Sequence, residues 1–144
     1  MKTENKELIG FLLQGIKTEQ FAIFEENYLP KKRVKLGAGL QFKLDPQNKQ
    51  LGTFLAFEFA QREKIFLKIQ VSCHFKIQED TWNSFLTENK VIVPKGFLAH
   101  LAMITTGTTR GVLFAKTEGT LFSTFIIPTL NVENMIKEDG TFEI

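Results

Sequence analysis

The chain has 144 residues, enough for one domain with its own core and too few for two well-packed ones. Its 18 Lys and Arg against 16 Asp and Glu leave a formal charge of +2, too little to argue for nucleic acid. The single cysteine, Cys73, excludes a disulfide scaffold within the chain and points to a reducing cytoplasm.

At the N-terminus, MKTENKELIGFLLQGIK has acidic residues before a very short apolar run, so no signal peptide is expected. Residues 11–17 suit a strand or a short helix, and the hairpin-like order that follows favours a strand. Phe21, Ile23 and Phe24 then read as a connection packed on the core. The basic cluster Lys31-Lys32-Arg33 reads as a solvated turn.

Over 34–44 apolar Val34, Leu36, Ala38, Leu40, Phe42 and Leu44 alternate with polar residues and glycines, which predicts a strand. DPQNKQ is a turn around Pro46 and Asn48. Residues 51–60 carry apolar side chains on both faces, as a centrally placed strand does. A short AQREK turn leads to the clearest signal. From Ile65 to Ile77 every second residue is apolar, giving a strand about 40 Å long with one buried face.

After Gln78 the pattern breaks into a long crossover, with one helical turn expected over 81–86. A helix is predicted over 94–118: Pro94 suits its first turn, Phe97, Leu98, Leu101, Ile104, Thr108, Val112 and Ala115 keep helical spacing, and Gly119 stands where it ends. Residues 120–127 alternate weakly, NVENMI suits a helical turn, and the tail KEDGTFEI reads as loose. Strands followed by a helix predict an α+β fold: one domain over 1–144, with a four-stranded antiparallel sheet packed on one long helix.

The stretch TTGTTRGVLFAKTEGT at 105–120 has the glycines and hydroxyls of a phosphate loop. It lacks the Lys-Ser/Thr pair such a loop needs, and the helical period runs straight through it. Gly107 and Gly111 then share one helix face and mark a close approach of another backbone. Phe97, Leu101, Gly107, Arg110 and Gly111 are the expected helix-packing and oligomer contacts. Cys73 and His74 are strand neighbours that point to opposite faces, so they cannot jointly ligate a metal. His100 has no partner at ligand spacing. No serine lies on a sharp turn with a base to serve it. The expectation is a protein without cofactor or metal, and not an enzyme.

Phenylalanine is over-represented, with 15 Phe against one Tyr and one Trp. So many large apolar rings are hard to hide in one small core. Phe54 and Phe66 lie on the mixed faces of their strands, and Trp82, Phe85, Phe122 and Phe125 lie outside the regular core series. These six are the candidate contacts for an extended, unfolded polypeptide.

The stretch from Phe11 to Glu25, FLLQGIKTEQFAIFE, resembles the opening strand of the SecB export chaperones and the phenylalanine-containing turn after it. Glu63-Lys-Ile-Phe-Leu running on to Phe75-Lys-Ile resembles their fourth strand. Thr109-Arg110, Glu118-Gly119-Thr120 and Ile127-Pro128-Thr129-Leu130-Asn131-Val132 resemble their long helix, the glycine turn and the proline–asparagine segment. The resemblance implies a dimer of dimers with helices between outer sheets. It further implies no use of ATP or metal, and apolar grooves near the crossover and sheet that hold unfolded clients. The family is typically acidic on the sheet, where a translocase motor docks. This chain has Lys68 and Lys76 there and no full second helix is expected, which speaks against motor docking. The expected function is an ATP-independent holdase, in export or otherwise. The alternative is an adaptor for one partner, such as a toxin–antitoxin pair. Neither nucleic-acid binding nor direct membrane insertion is expected.

Overall fold

A computed structural model of the chain describes residues 10–144; most of the stretch ahead of the first strand therefore lies outside the described residues. Four antiparallel strands, β1 (Phe11–Ile23), β2 (Lys35–Asp45), β3 (Gln50–Gln61) and β4 (Lys64–Ile77), form a sheet in the order β1-β4-β3-β2. The two most apolar strands are therefore central, covered by pairing on both sides, and the less apolar β1 and β2 take the edges. In β4 the alternate residues Ile69, Val71, Cys73, Phe75 and Ile77 are buried on one face, opposite Leu51, Thr53, Leu55 and Phe57 of β3. The period-two pattern carries directly into this face.

The crossover contains α1 (Glu79–Phe85), β5 (Leu86–Thr87) and β6 (Lys90–Val93), followed by α2 (Lys95–Thr117). The long helix packs on β3 and β4. Pro94 caps its start, and Gly119, at φ +84°, takes the left-handed conformation that ends it. The α+β class and the sheet-on-helix arrangement agree with the sequence reading.

Three local expectations are corrected. Phe21 and Ile23 belong to β1, paired with Ile69 and Leu67, and not to a connection. Register shifts at Leu13/Gly15 and Thr18/Gln20 break the alternation that would have revealed the full strand. Residues Leu121–Thr124 form a 3-10 turn, not an extended run, with the Thr120 hydroxyl accepting from the Phe122 N–H. The tail is not loose: β7 (Gly140–Glu143) pairs with β6 in a second sheet of order β5-β6-β7. Residues 131–136 do hold a helical turn, α3 (Val132–Met135), capped by Asn131.

The core has two main lobes. Trp82, Phe85, Phe75, Ile77, Leu98 and Leu101 pack around the start of α2. Phe57, Phe59, Phe66, Leu113, Phe122 and Ile127 pack around its end. Between them lies a hydroxyl-bearing waist of buried Thr53, Thr105, Thr106 and Thr109. The helix threonines bury no unpaired donor. Thr105 Oγ1 donates to the Leu101 carbonyl at 2.9 Å, Thr106 Oγ1 to Ala102 at 2.7 Å and Thr109 Oγ1 to Thr105 at 2.7 Å. The run TTGTT is thus a slim helix surface that lets α2 lie close to the sheet.

Candidate polypeptide-binding and assembly surface

The six aromatic residues singled out as client contacts do not form one groove. Phe54 is half-buried on the sheet face away from α2. Its ring meets His74 edge-on at 5.7 Å, with Lys43 Nζ 4.6 Å from its centre. Phe66 is 0% exposed. Phe59 pairs with Leu67 and Ala60 with Ile65, so Phe66 is the extra residue of a β-bulge. That bulge turns its side chain inward, against Phe125 at 5.0 Å, Tyr28 at 5.1 Å and Phe122 at 6.1 Å. Strict alternation places Phe66 on the opposite face, and nothing in sequence marks the bulge. Trp82 and Phe85 are buried under the crossover, where Phe85 meets Phe97 at 5.1 Å. Phe122 is buried and Phe125 half-buried.

The exposed apolar surface is built from other residues. On β1, Leu13 and Ile16 pair with Phe75 and Cys73, so their side chains point to the helix side of the sheet. Yet α2 lies over β3 and β4 and leaves this edge open, with Ile16 50% exposed. On α2, Met103 is 59% and Phe114 47% exposed. The chain after the helix adds Leu121 at 56% and Ile126 at 57%. Met103 and Phe114 could have been found by following the face on which Gly107 and Gly111 lie. Ile16 and Ile126 could not, because their exposure depends on where the helix sits.

The outer face of α2 runs through Met103, Gly107, Gly111 and Phe114, at steps of three and four. A Cβ added at Gly107 or Gly111 would meet nothing within 4 Å. The glycines therefore do not serve contact with this chain's own sheet; they leave a shallow strip between two projecting apolar side chains. Of the other expected helix contacts, Leu101 is buried in the core and Phe97 packs edge-on against Phe11 at 5.6 Å.

Arg110 lies beside this strip and is half-buried. Its Nε donates to the Ile127 carbonyl at 2.7 Å and a terminal nitrogen donates to the Pro128 carbonyl at 2.9 Å. The planar guanidinium thus ties the returning chain to the helix through two backbone acceptors. Arg110→Met should lower the unfolding free energy by about 1.5–3 kcal/mol, the range for hydrogen bonds made by a charged group. Urea denaturation reads this directly. Arg110→Lys should recover only part of the loss, because one ammonium does not reproduce the fork; full recovery would reduce the role to charge.

On the far face, Ser72 Oγ donates to the Glu19 carboxylate at 2.7 Å and lies 2.9 Å from His74 Nε2. The hydrogen-bond order differs from a catalytic triad. The carboxylate holds the hydroxyl and not the imidazole, and Ser72 is fully buried, so no substrate carbonyl reaches it. Cys73, buried on the helix side, is likewise out of reach. Among the described residues no cluster of three or more His, Cys, Asp or Glu is placed to hold a metal ion, and no helix is long and apolar enough to cross a membrane.

The sequence matches no protein-family model and no curated protein. Among solved structures, the fold is similar to that of the Mycobacterium tuberculosis SecB-like chaperone Rv1957, determined in complex with a ChAD peptide from the Rv1956 HigA1 antitoxin. The TM-score is 0.50 at 10% identity, over 83% of this chain and 90% of that one. At that identity the likeness shows a SecB-like fold and does not carry over the neighbour's partner.

Proposed function

We propose that this chain is a polypeptide-binding chaperone that works without nucleotide and assembles through the outer face of α2. One observation carries the reading: large apolar side chains stand exposed on β1 (Ile16), on α2 (Met103 and Phe114) and on the chain that follows it (Leu121 and Ile126). Single exposed apolar residues are ordinary, but five large ones about half exposed in a small domain, two of them along one helix face, are the pattern of an interaction surface. The SecB-like fold supports the same reading, and the neighbour's bound peptide gives a precedent for a polypeptide ligand on this fold.

Two uses divide this surface. The Met103–Gly107–Gly111–Phe114 strip suits a flat helix from a second copy, because glycines let backbones approach closely. Ile16, Leu121, Ile126 and the half-buried Phe125 suit the side chains of an extended client. Burying apolar area at about 25 cal/mol per Å² supplies affinity without demanding a sequence. The largely buried Phe66, Trp82, Phe85 and Phe122 take part only where the core opens to a client. A dedicated adaptor for one partner is the second reading, and the precedent of a single bound antitoxin peptide favours it.

The test is suppression of aggregation of a chemically denatured protein, with no nucleotide present. The chain should protect at micromolar concentration, and the pair Ile16→Ser with Ile126→Ser should weaken protection at least about fivefold at unchanged thermal stability, as expected for exposed positions. No protection of any client would overturn the holdase reading. Protection that survives both substitutions would move the client surface elsewhere.

A further inference from the structure

We propose that the cavity at the β3–β4 hairpin end of the sheet binds an acidic polypeptide segment, at a site separate from the helix-side apolar surface. The cavity has a volume of about 820 Å³, and its lining includes Lys32, Arg33, Lys35 and Arg62, with Val34 and Leu36 as apolar lining between the charges. Its one lining carboxylate is Glu63. The whole molecule carries only +2, so four cations facing one carboxylate are a local concentration of charge. Among the described residues none of these four makes an ion pair; the salt bridge seen there joins Lys49 to Glu79.

The backbone that carries the cations is held in place. Gln61, 2% exposed, accepts from the Leu29 N–H at 2.8 Å and donates to the Leu29 and Lys32 carbonyls at 2.9 and 3.2 Å. Asn27 Nδ2 donates to the Ile65 carbonyl at 2.9 Å. Two side-chain clamps thus fix the β1–β2 connection to the hairpin, so the backbone needs little further ordering on binding.

The backbone is also strained here. Lys31 (φ 65°), Arg62 (φ 51°) and Glu63 (φ 65°) all lie in the left-handed region. A two-residue hairpin turn of this kind favours Asn-Gly, and long side chains there cost stability. Lys49 (φ 52°) and Glu88 (φ 51°) adopt the same conformation in other turns, so it is the cations without a carboxylate partner among the described residues that point to a ligand of opposite charge.

The occupant is a polypeptide because the cavity alternates charge with apolar lining and adjoins the start of β2. Among the described residues that strand is a sheet edge, and its outer side is open to pairing with an extended chain. A nucleic-acid strand would use the cations but neither the apolar lining nor the edge.

Fluorescence anisotropy of the full chain decides it. The probes are a short labelled Glu/Asp-rich peptide with interspersed valines, the same peptide with Gln for Glu and Asn for Asp, and a labelled single-stranded oligonucleotide. The acidic peptide should bind, more weakly as salt is raised, and the neutral one at least about tenfold less tightly. Arg33→Gln with Arg62→Gln should lose about tenfold, and the single change Arg62→Gln a smaller part of that, with unchanged circular dichroism. Lys32→Glu with Arg62→Glu should reverse the preference toward a Lys-rich peptide. Equal binding of the neutral peptide, indifference to the substitutions or a tighter oligonucleotide would each overturn the proposal. Displacement by millimolar inorganic phosphate would reassign the cavity to small anions. None of these outcomes touches the aggregation assay on Ile16 and Ile126, so the two readings stand or fall separately.

Discussion

Phe66→Ala is expected to lower the unfolding free energy by about 3–5 kcal/mol, the range for deleting a fully buried aromatic ring. The ring is 0% exposed and sits among Tyr28, Phe59, Phe122 and Phe125 at centroid distances of 5.0 to 6.4 Å. Its neighbours come from the β1–β2 connection, β3 and the chain after α2, so they cannot all collapse into the space it leaves. A domain of this size has about 5–15 kcal/mol in total, so the loss takes a large share. Phe54→Ala, on the half-exposed far face, should cost about 1 kcal/mol or less. Urea denaturation of the pair separates a core ring from a surface ring. If Phe66→Ala unfolds like the parent chain but loses client protection, the ring belongs to the binding surface and the inward bulge is wrong.

The second large effect is on assembly. Light scattering should show a dimer or tetramer, and Gly107→Gln with Gly111→Gln should convert it to a monomer. In the isolated chain both substitutions enter open space, and replacing a helix-interior glycine gains up to about 1 kcal/mol of helix stability each. Thermal unfolding of the separated monomer should therefore not fall. In an assembly with a second helix seated on the strip, two long side chains would hold the backbones several ångströms apart, and association should weaken by at least about a hundredfold. Gly107→Ala alone should weaken it less. A parent chain that is already monomeric, or a double variant that still assembles, would remove the glycine strip from the interface.

These two positions also show what could be read in advance. The apolar alternation over β4 and the helical period over α2 survive in the fold because each element meets a single partner surface on a regular lattice of side chains. Gly107 and Gly111 were legible as one helix face for the same reason. Phe66 was not, because one extra residue in β4 against β3 inverts the facing of a side chain and leaves no trace in composition. The β7–β6 pairing was hidden too. Its strand is four residues long, and its partner lies some fifty residues earlier, so only the folded chain brings them together.

The proposed client surface follows the same division. The excess of phenylalanine suggested rings left over for a partner, but most of the rings chosen on that basis are core, and Phe114 is the one phenylalanine among the exposed large apolar residues described. What stands outside is largely aliphatic. Leu13 and Ile16 carry core-like positions on an edge strand that α2 leaves largely uncovered, and their exposure is a property of helix placement.

By itself the amino-acid sequence determined the strand and helix order, the α+β class and the small-residue face of the long helix, since these depend on periodicity and on glycine's missing side chain. Only the tertiary structure decided which aromatic rings are inside, what Arg110 holds, and where cations from Lys32 to Arg62 gather. These depend on the bulge, the returning chain after α2 and the Gln61 clamp, contacts between residues far apart in sequence that no local pattern encodes.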